Sequence, residues 1–181
     1  MDAFEKVVEQ IIHHEGFWTR TSFKVDLTKE EKRKIGRPSS PRWELDVVGY
    51  KALTNEVLVI ECKSYLDSPG VRFDDLLGTG RNANRYKLFV EDTLRSVVFD
   101  RLSNQLLQAG LCSPEPTVRL ALAAGNVSKG VDEIPALFEN KGFLWFGPEW
   151  ISDRLQKLSQ TGYDNEVASV VSKLLLKHQG R

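Results

Sequence analysis

Apolar positions recur along the chain with two periods. From Asp2 to Glu15, Phe4, Val7, Val8, Ile11 and Ile12 return at helical spacing. This predicts an amphipathic helix, closed by Gly16. Phe17–Leu27 reads as a first strand. Thr28–Gly36 reads as a short helix, with Thr28 as N-cap and Glu31 in the capping-box position. A Pro/Ser-rich connector, Arg37–Arg42, then feeds two strand-like runs, RWELDVVGY (Arg42–Tyr50) and VLVIECKSY (Val57–Tyr65), joined by Lys51–Glu56. The pattern predicts a β-hairpin. If its turn centres on Leu53 and Thr54, the numbers of facing residues sum to 107. Trp43, Leu45 and Val47 then share one face with Leu58, Ile60 and Cys62. A slip of one residue would exchange the faces.

Beyond the hairpin, Ser68-Pro69-Gly70 marks a turn. Val71–Gly110 is expected to be mostly helical, with a break near Gly78-Thr79-Gly80. That Gly-Thr-Gly lacks the lysine and preceding strand of a phosphate loop. Ser113–Pro116 is a linker. Thr117–Ala124 is a buried strand ending at Gly125-Asn126, followed by a short helix near Val131–Asn140, a strand over Gly142–Phe146 and a helix over Glu149–Ser159. The strand–helix–strand order predicts a parallel crossover pair, with Phe143, Trp145 and Phe146 in the core. Tyr163–Lys177 is a final helix. Its stripe of Val167, Val170, Val171, Leu174 and Leu175 either caps the core or makes a dimer interface.

The candidate chemistry lies in the hairpin. The expected register puts Asp46 directly opposite Glu61, with Lys63 on the same face. Two facing carboxylates repel, so something cationic should sit between them. A divalent metal and the Lys63 ammonium would serve. The plainer alternative is a cross-strand ion-pair cluster, with Glu44 opposite Lys63.

Asp46 followed by Glu61-x-Lys63 resembles the PD-(D/E)xK signature of the restriction-endonuclease-like nucleases, and is nearest in pattern to Mrr-type restriction nucleases and archaeal Holliday-junction resolvases. The likeness covers roughly residues 1–71. Leu45 stands where that family has a proline. The resemblance implies an α/β fold, a restriction-endonuclease-like core with a central mixed β-sheet flanked by helices. It also implies a metal-dependent endonuclease acting on DNA, in restriction, defence or repair, and a product with a 5′-phosphate. Mg2+ or Mn2+ would be held by Asp46, Glu61 and the backbone carbonyl of Cys62. The leading helix would supply a further glutamate. Its spacing from Gly16-Phe17 selects Glu5, and Glu9 is the alternative. On the helical wheel Glu5 lies at the edge of the apolar stripe and Glu9 further into the polar arc. Lys63 would orient the attacking water, because neighbouring carboxylates should keep it protonated. A non-catalytic module on the same fold, binding nucleic acid or a partner, is the second expectation.

Composition narrows the setting. The chain has 181 residues, suited to one domain spanning 1–181. Its net charge is zero, which argues against a bulk electrostatic nucleic-acid binder. Its distribution is uneven: Arg20–Arg42 holds eight basic and three acidic residues, a net +5 just before the Asp46 strand. A basic flank beside an acidic site suits a phosphodiester substrate, although Thr28–Gly36 also reads as a solvated helical face. Lys34, Arg37, Ser39, Ser40 and Arg42 are candidate phosphate contacts, as are Arg81, Arg85 and Lys87. Expected partners are duplex or branched DNA, a second copy of the chain, and a restriction-system subunit. No apolar run reaches the ~18 residues of a membrane helix, and Cys62 and Cys112 give no zinc or disulfide spacing. The expected location is the cytoplasm. His13, His14 and His178 have no ligand spacing and are read as surface residues.

Overall fold

The structure, a computed structural model, describes residues 2–39 and 42–176. Helix α1 (Ala3–His14) starts at a capping box in which Asp2 is the N-cap and Glu5 reaches back to it. Strand β1 (Trp18–Val25) follows, then α2 (Lys29–Lys34), capped by Thr28 and Glu31 as expected. The hairpin is β2 (Trp43–Lys51) and β3 (Glu56–Lys63). Then come β4 (Val71–Arg72), α3 (Phe73–Leu76), α4 (Lys87–Val90) and α5 (Asp92–Gln108). The chain continues through β5 (Thr117–Ala124), β6 (Val127–Lys129), α6 (Glu133–Lys141), β7 (Leu144–Phe146), α7 (Pro148–Gln160) and α8 (Val167–Leu176).

The fold is α/β, with a five-stranded mixed sheet in the order β1-β2-β3-β5-β7. β1, β2 and β3 run antiparallel, whereas β3, β5 and β7 are parallel. Both faces of the sheet are buried. Against one lie Leu88 and Phe89 of α4, Val98 and Leu102 of α5, and Ile134 and Phe138 of α6. Against the other lie Val8 and Ile12 of α1. Ile11, Ile151 and Leu158 then join α1 to α7. This layering buries an apolar stripe of each helix and both sheet faces together.

The hairpin register is the expected one: Val47 faces Ile60 and Gly49 faces Leu58. The facial assignment needs one correction. Trp43 and Leu45 pack in the cluster of Val48, Val57 and Val59, while Val47 packs with Leu58 and Ile60 on the other face. Alternation resets at Asp46, because the β1–β2 ladder skips Ser22 and Asp46, and Ser22 adopts a φ of +51°. Three further expectations change. Val71–Arg72 is a strand, not helix, and pairs with β6 in a separate two-stranded sheet. The break near Gly78–Gly80 widens, and helix resumes only with a 3-10 turn at Ala83–Arg85. The α8 stripe points away from the core: Leu174 is 73% exposed, and the small residues Ala168, Ser169 and Ser172 pack inward instead. It does not cap the core.

Candidate active site

β2 and β3 stop pairing after Val47 and Ile60, so the two strands separate just where Asp46 faces Glu61, Cys62 and Lys63. The Asp46 carboxylate fills the gap: its Oδ2 accepts a hydrogen bond from the Cys62 backbone N–H at 2.7 Å. On its other side β3 continues in register with β5 through Lys63 and Ala124. The Gly125 N–H donates to the Lys63 carbonyl at 3.0 Å. A Cβ at Gly125 would meet the Ser64 carbonyl oxygen at 2.3 Å, so only glycine allows this approach. Glu61 and Lys63 thus stand at the carboxyl end of a strand in the parallel part of the sheet, where open α/β sheets place their ligands.

The Lys63 ammonium donates to Glu61 Oε1 at 2.6 Å and to the Cys62 carbonyl at 3.3 Å. Both side chains are four-fifths or more buried, Lys63 at 15% exposure and Glu61 at 20%. Burial raises the Glu61 carboxyl against the pull of Lys63, and the charges of Asp46 and Glu5 add to the rise. Burial likewise raises Asp46, outweighing the Cys62 N–H and Lys63, with Glu44 contributing. Burial works the other way on Lys63, yet Glu61 and Asp46 overcome it and hold the ammonium above its usual range. That is the protonated state expected for it. Glu44 and Lys63 do not pair, since the ladder ends before them.

Glu5 lies within reach of this charge cluster. Burial and the Asp46 charge raise its carboxyl, opposed by the hydrogen bond it accepts from the Asp2 N–H at 3.3 Å. It therefore serves the helix cap as well, a role legible in Asp2-x-x-Glu5 that the spacing argument passed over. Glu9 is engaged elsewhere, in an ion pair with Lys6.

A divalent ion can be tested against these donors. Among the described residues, no group of three or more His, Cys, Asp or Glu side chains gathers closely enough to hold a metal by itself. A site here would rest on two carboxylates and the Cys62 carbonyl, leaving the other positions to water and substrate, which is how Mg2+ is commonly held. The donors are hard oxygens. The Cys62 side chain packs against the apolar cluster of Val47, Leu58 and Ile60, and burial, then the charges of Asp46 and Glu5, push its thiol up. The residues fit Mg2+ or Mn2+ on these grounds.

The basic candidates divide. Arg37 is committed to the fold: its Nη2 donates to both Glu91 oxygens at 2.8 and 2.9 Å, and its guanidinium stands over Trp43. Arg42 pairs with Asp26. Lys34 and Ser39 are exposed, Lys87 is half-buried, and Ser40 lies outside the described residues, as does His178. Arg81 and Arg85 come together with Arg72 and Tyr65 around a cavity of about 460 Å³. Arg72 and Tyr65 were not singled out in the sequence. Tyr65 takes a φ of +45°, and no local residue pattern announces that. His13 and His14 are exposed, and His14 pairs with Asp164 at 3.0 Å. No described helix is long and apolar enough to cross a membrane.

Comparison with known protein families and with curated proteins finds no match. Among solved structures, the chain is similar to the crystal structure of a protein of unknown function, AF1548. The two share 17% identity and a TM-score of 0.45, over 94% of this chain and 76% of that one.

Proposed function

We propose that the chain is a metal-dependent endonuclease that hydrolyses DNA phosphodiester bonds, in restriction, defence or repair. One observation carries the reading: two half-buried carboxylates, Asp46 and Glu61, and the Lys63 ammonium converge where β2 and β3 part. The likeness of Asp46…Glu61-x-Lys63 to the PD-(D/E)xK signature points the same way. Asp46, Glu61 and the Cys62 carbonyl would hold the ion. Bound Mg2+ or Mn2+ supplies a more acidic water and neutralises charge growing on the phosphoryl oxygens. The Cys62 N–H fixes the orientation of Asp46. Lys63, kept protonated by its neighbours, orients the attacking water and stabilises negative charge, and does not act as the base. Glu5, at the margin, would hold a second ion or a bound water. Cutting both strands of a duplex takes two sites, so a homodimer fits this reading, as does a partner subunit of a restriction system. A cytoplasmic setting goes with it.

A second reading has its own support. Lys63 satisfies Glu61 and the Cys62 carbonyl internally, as a structural ion pair would, and such a cluster suits a non-catalytic nucleic-acid- or partner-binding module. A substrate panel separates the two. Supercoiled plasmid, single-stranded DNA and branched DNA are incubated with Mg2+, Mn2+ or EDTA, and melting is followed in parallel with Mn2+. A nuclease cleaves only with metal, and Mn2+ raises the melting temperature of the wild type but not of Asp46→Ala. Binding without cleavage and without a metal-dependent shift supports the module.

A further inference from the structure

Beside the carboxylate cluster lies a cavity that the proposed hydrolysis does not use. Two chain segments wall it. One, after Lys63, gives Tyr65, Gly70 and Arg72; the other, after α3, gives Arg81, Asn82 and Arg85. It adjoins the catalytic candidates, since the lining residue Tyr65 follows Lys63 by two positions in the chain. Three guanidiniums line it against one carboxylate, Asp75. That carboxylate is itself occupied: Asp75 is 2% exposed, and its Oδ1 accepts from the Asn82 N–H at 2.9 Å.

The arginines are lightly held. Arg81 is exposed and makes no ion pair or hydrogen bond among the described residues. Arg85 reaches only the Tyr65 hydroxyl, at 3.5 Å, the long limit of a hydrogen bond. Arg72 reaches Asp74 at 3.5 Å. Their donors are therefore free for a ligand, unlike those of Arg37. Tyr65 is held in the left-handed region, which is unfavourable for an aromatic residue and marks a position worth a functional explanation. The Tyr86 hydroxyl donates to the Tyr65 hydroxyl, again at 3.5 Å, and Tyr86 is fully buried. That contact ties Tyr65 to the core and fixes one wall of the cavity.

Charge and size select the ligand. The lining residues alone leave a net charge of about +2, reduced to about +1 where Asp74 pairs with Arg72, and this attracts a phosphate monoester, at about −1.5 to −2 near neutral pH, more strongly than a backbone phosphodiester at about −1. A cavity of about 460 Å³ lies at the small end of the range for ligand sites, roughly 300–1,000 Å³. A cavity of this size suits one nucleotide's phosphate end. Arginine is also the residue whose planar fork suits terminal phosphate oxygens.

We propose that Arg72, Arg81 and Arg85 form a receptor for a terminal phosphate monoester of a nucleic-acid strand, so that the chain distinguishes phosphorylated strand ends from hydroxyl ends. This rests on the nuclease reading for its substrate class, but it is tested without cleavage. Binding of a labelled single strand to the full chain is measured in EDTA. The strand carries a 5′-phosphate, a 3′-phosphate or hydroxyls at both ends, and inorganic phosphate and a nucleoside 5′-monophosphate serve as competitors. The same series is run with the double variant Arg81→Ala/Arg85→Ala and with Arg72→Ala. The expected result is that one phosphorylated end binds at least about tenfold more tightly than the hydroxyl end, the scale of one or two charged hydrogen bonds. The competitors and the variants abolish that difference. The 5′ and 3′ arms show which end is read, and competition by the free monophosphate alone assigns the cavity to a released nucleotide. Equal affinity for phosphorylated and hydroxyl ends in the wild type overturns the proposal, even if metal-dependent cleavage is found. A phosphate preference that survives in both variants overturns the assignment to these arginines. Discrimination without any cleavage leaves this receptor standing and the nuclease reading fallen.

Discussion

Replacing Lys63 with methionine tests whether its ammonium holds the carboxylate cluster together. Methionine keeps the length and apolar stem of the side chain but removes the charge. The wild-type pair is 2.6 Å apart, with Lys63 15% and Glu61 20% exposed. Breaking a buried pair by removing one partner costs about 3–5 kcal/mol, and slight exposure puts this case near the low end, about 3 kcal/mol. For a chain of this length that corresponds to a melting temperature lower by about 6–12 °C. Glu61→Gln keeps an oxygen acceptor for Lys63 but removes a buried charge. In that background Lys63→Met should cost only about 1 kcal/mol, a coupling of about 2 kcal/mol. The assay is urea denaturation of the four proteins in EDTA, with coincident circular dichroism and fluorescence transitions to justify two-state treatment. The same loss in both backgrounds would refute the reasoning, because Lys63 would then stabilise through packing and not through the carboxylates.

Other outcomes follow from particular contacts. Arg37→Ala should lower stability by about 1 kcal/mol, through the lost Glu91 pair and Trp43 contact, and leave DNA affinity unchanged. A fall in affinity with unchanged melting would return Arg37 to the phosphate contacts. Phe138 is 1% exposed and lies 5.3–5.8 Å, ring to ring, from Phe89, Phe143 and Trp145. Phe138→Ala should therefore cost about 3–5 kcal/mol by chemical denaturation, and a loss below about 1 kcal/mol would contradict this packing. Asp164 accepts from Ser169, the Glu166 N–H and His14, which hold its carboxyl down at about 2. A depressed carboxyl adds stability above its unfolded value of about 3.9. That stability is lost as the pH falls from about 4 through about 2. Asp164→Asn should flatten the acid limb of a melting-versus-pH curve over that window, and an unchanged limb would show that the contacts are not maintained in solution.

The hairpin was legible because its information is local. Alternation in two runs and a short connection set the register, and helix periods and caps set α1, α2 and α7. What was missed depends on distant partners. The reset of faces at Asp46 comes from Ser22 on the neighbouring strand. The two-residue β4 exists only because β6 lies beside it. The period of α8 showed an apolar stripe but not its direction, and Ala168, Ser169 and Ser172 turn inward because small residues allow the close approach to α1 and α7. Within the candidate site, the nearness of Asp46 to Glu61 and Lys63 follows from the hairpin register, whereas the parting of the two strands there does not. Arg37 could not be separated from Arg81 and Arg85 as a run of basic residues, since its partner Glu91 is 54 positions away.

The most direct test of the central claim is the cleavage rate of the best DNA substrate, with Mg2+ or Mn2+, for wild type, Glu61→Ala and Lys63→Ala, with DNA affinity and circular dichroism recorded on the same preparations. The account predicts metal-dependent cleavage by the wild type and a loss of at least about a hundredfold in each variant, with DNA affinity retained. Cleavage at the wild-type rate in either folded variant would contradict it. So would a wild type that binds DNA as the variants do and cuts none of the substrates.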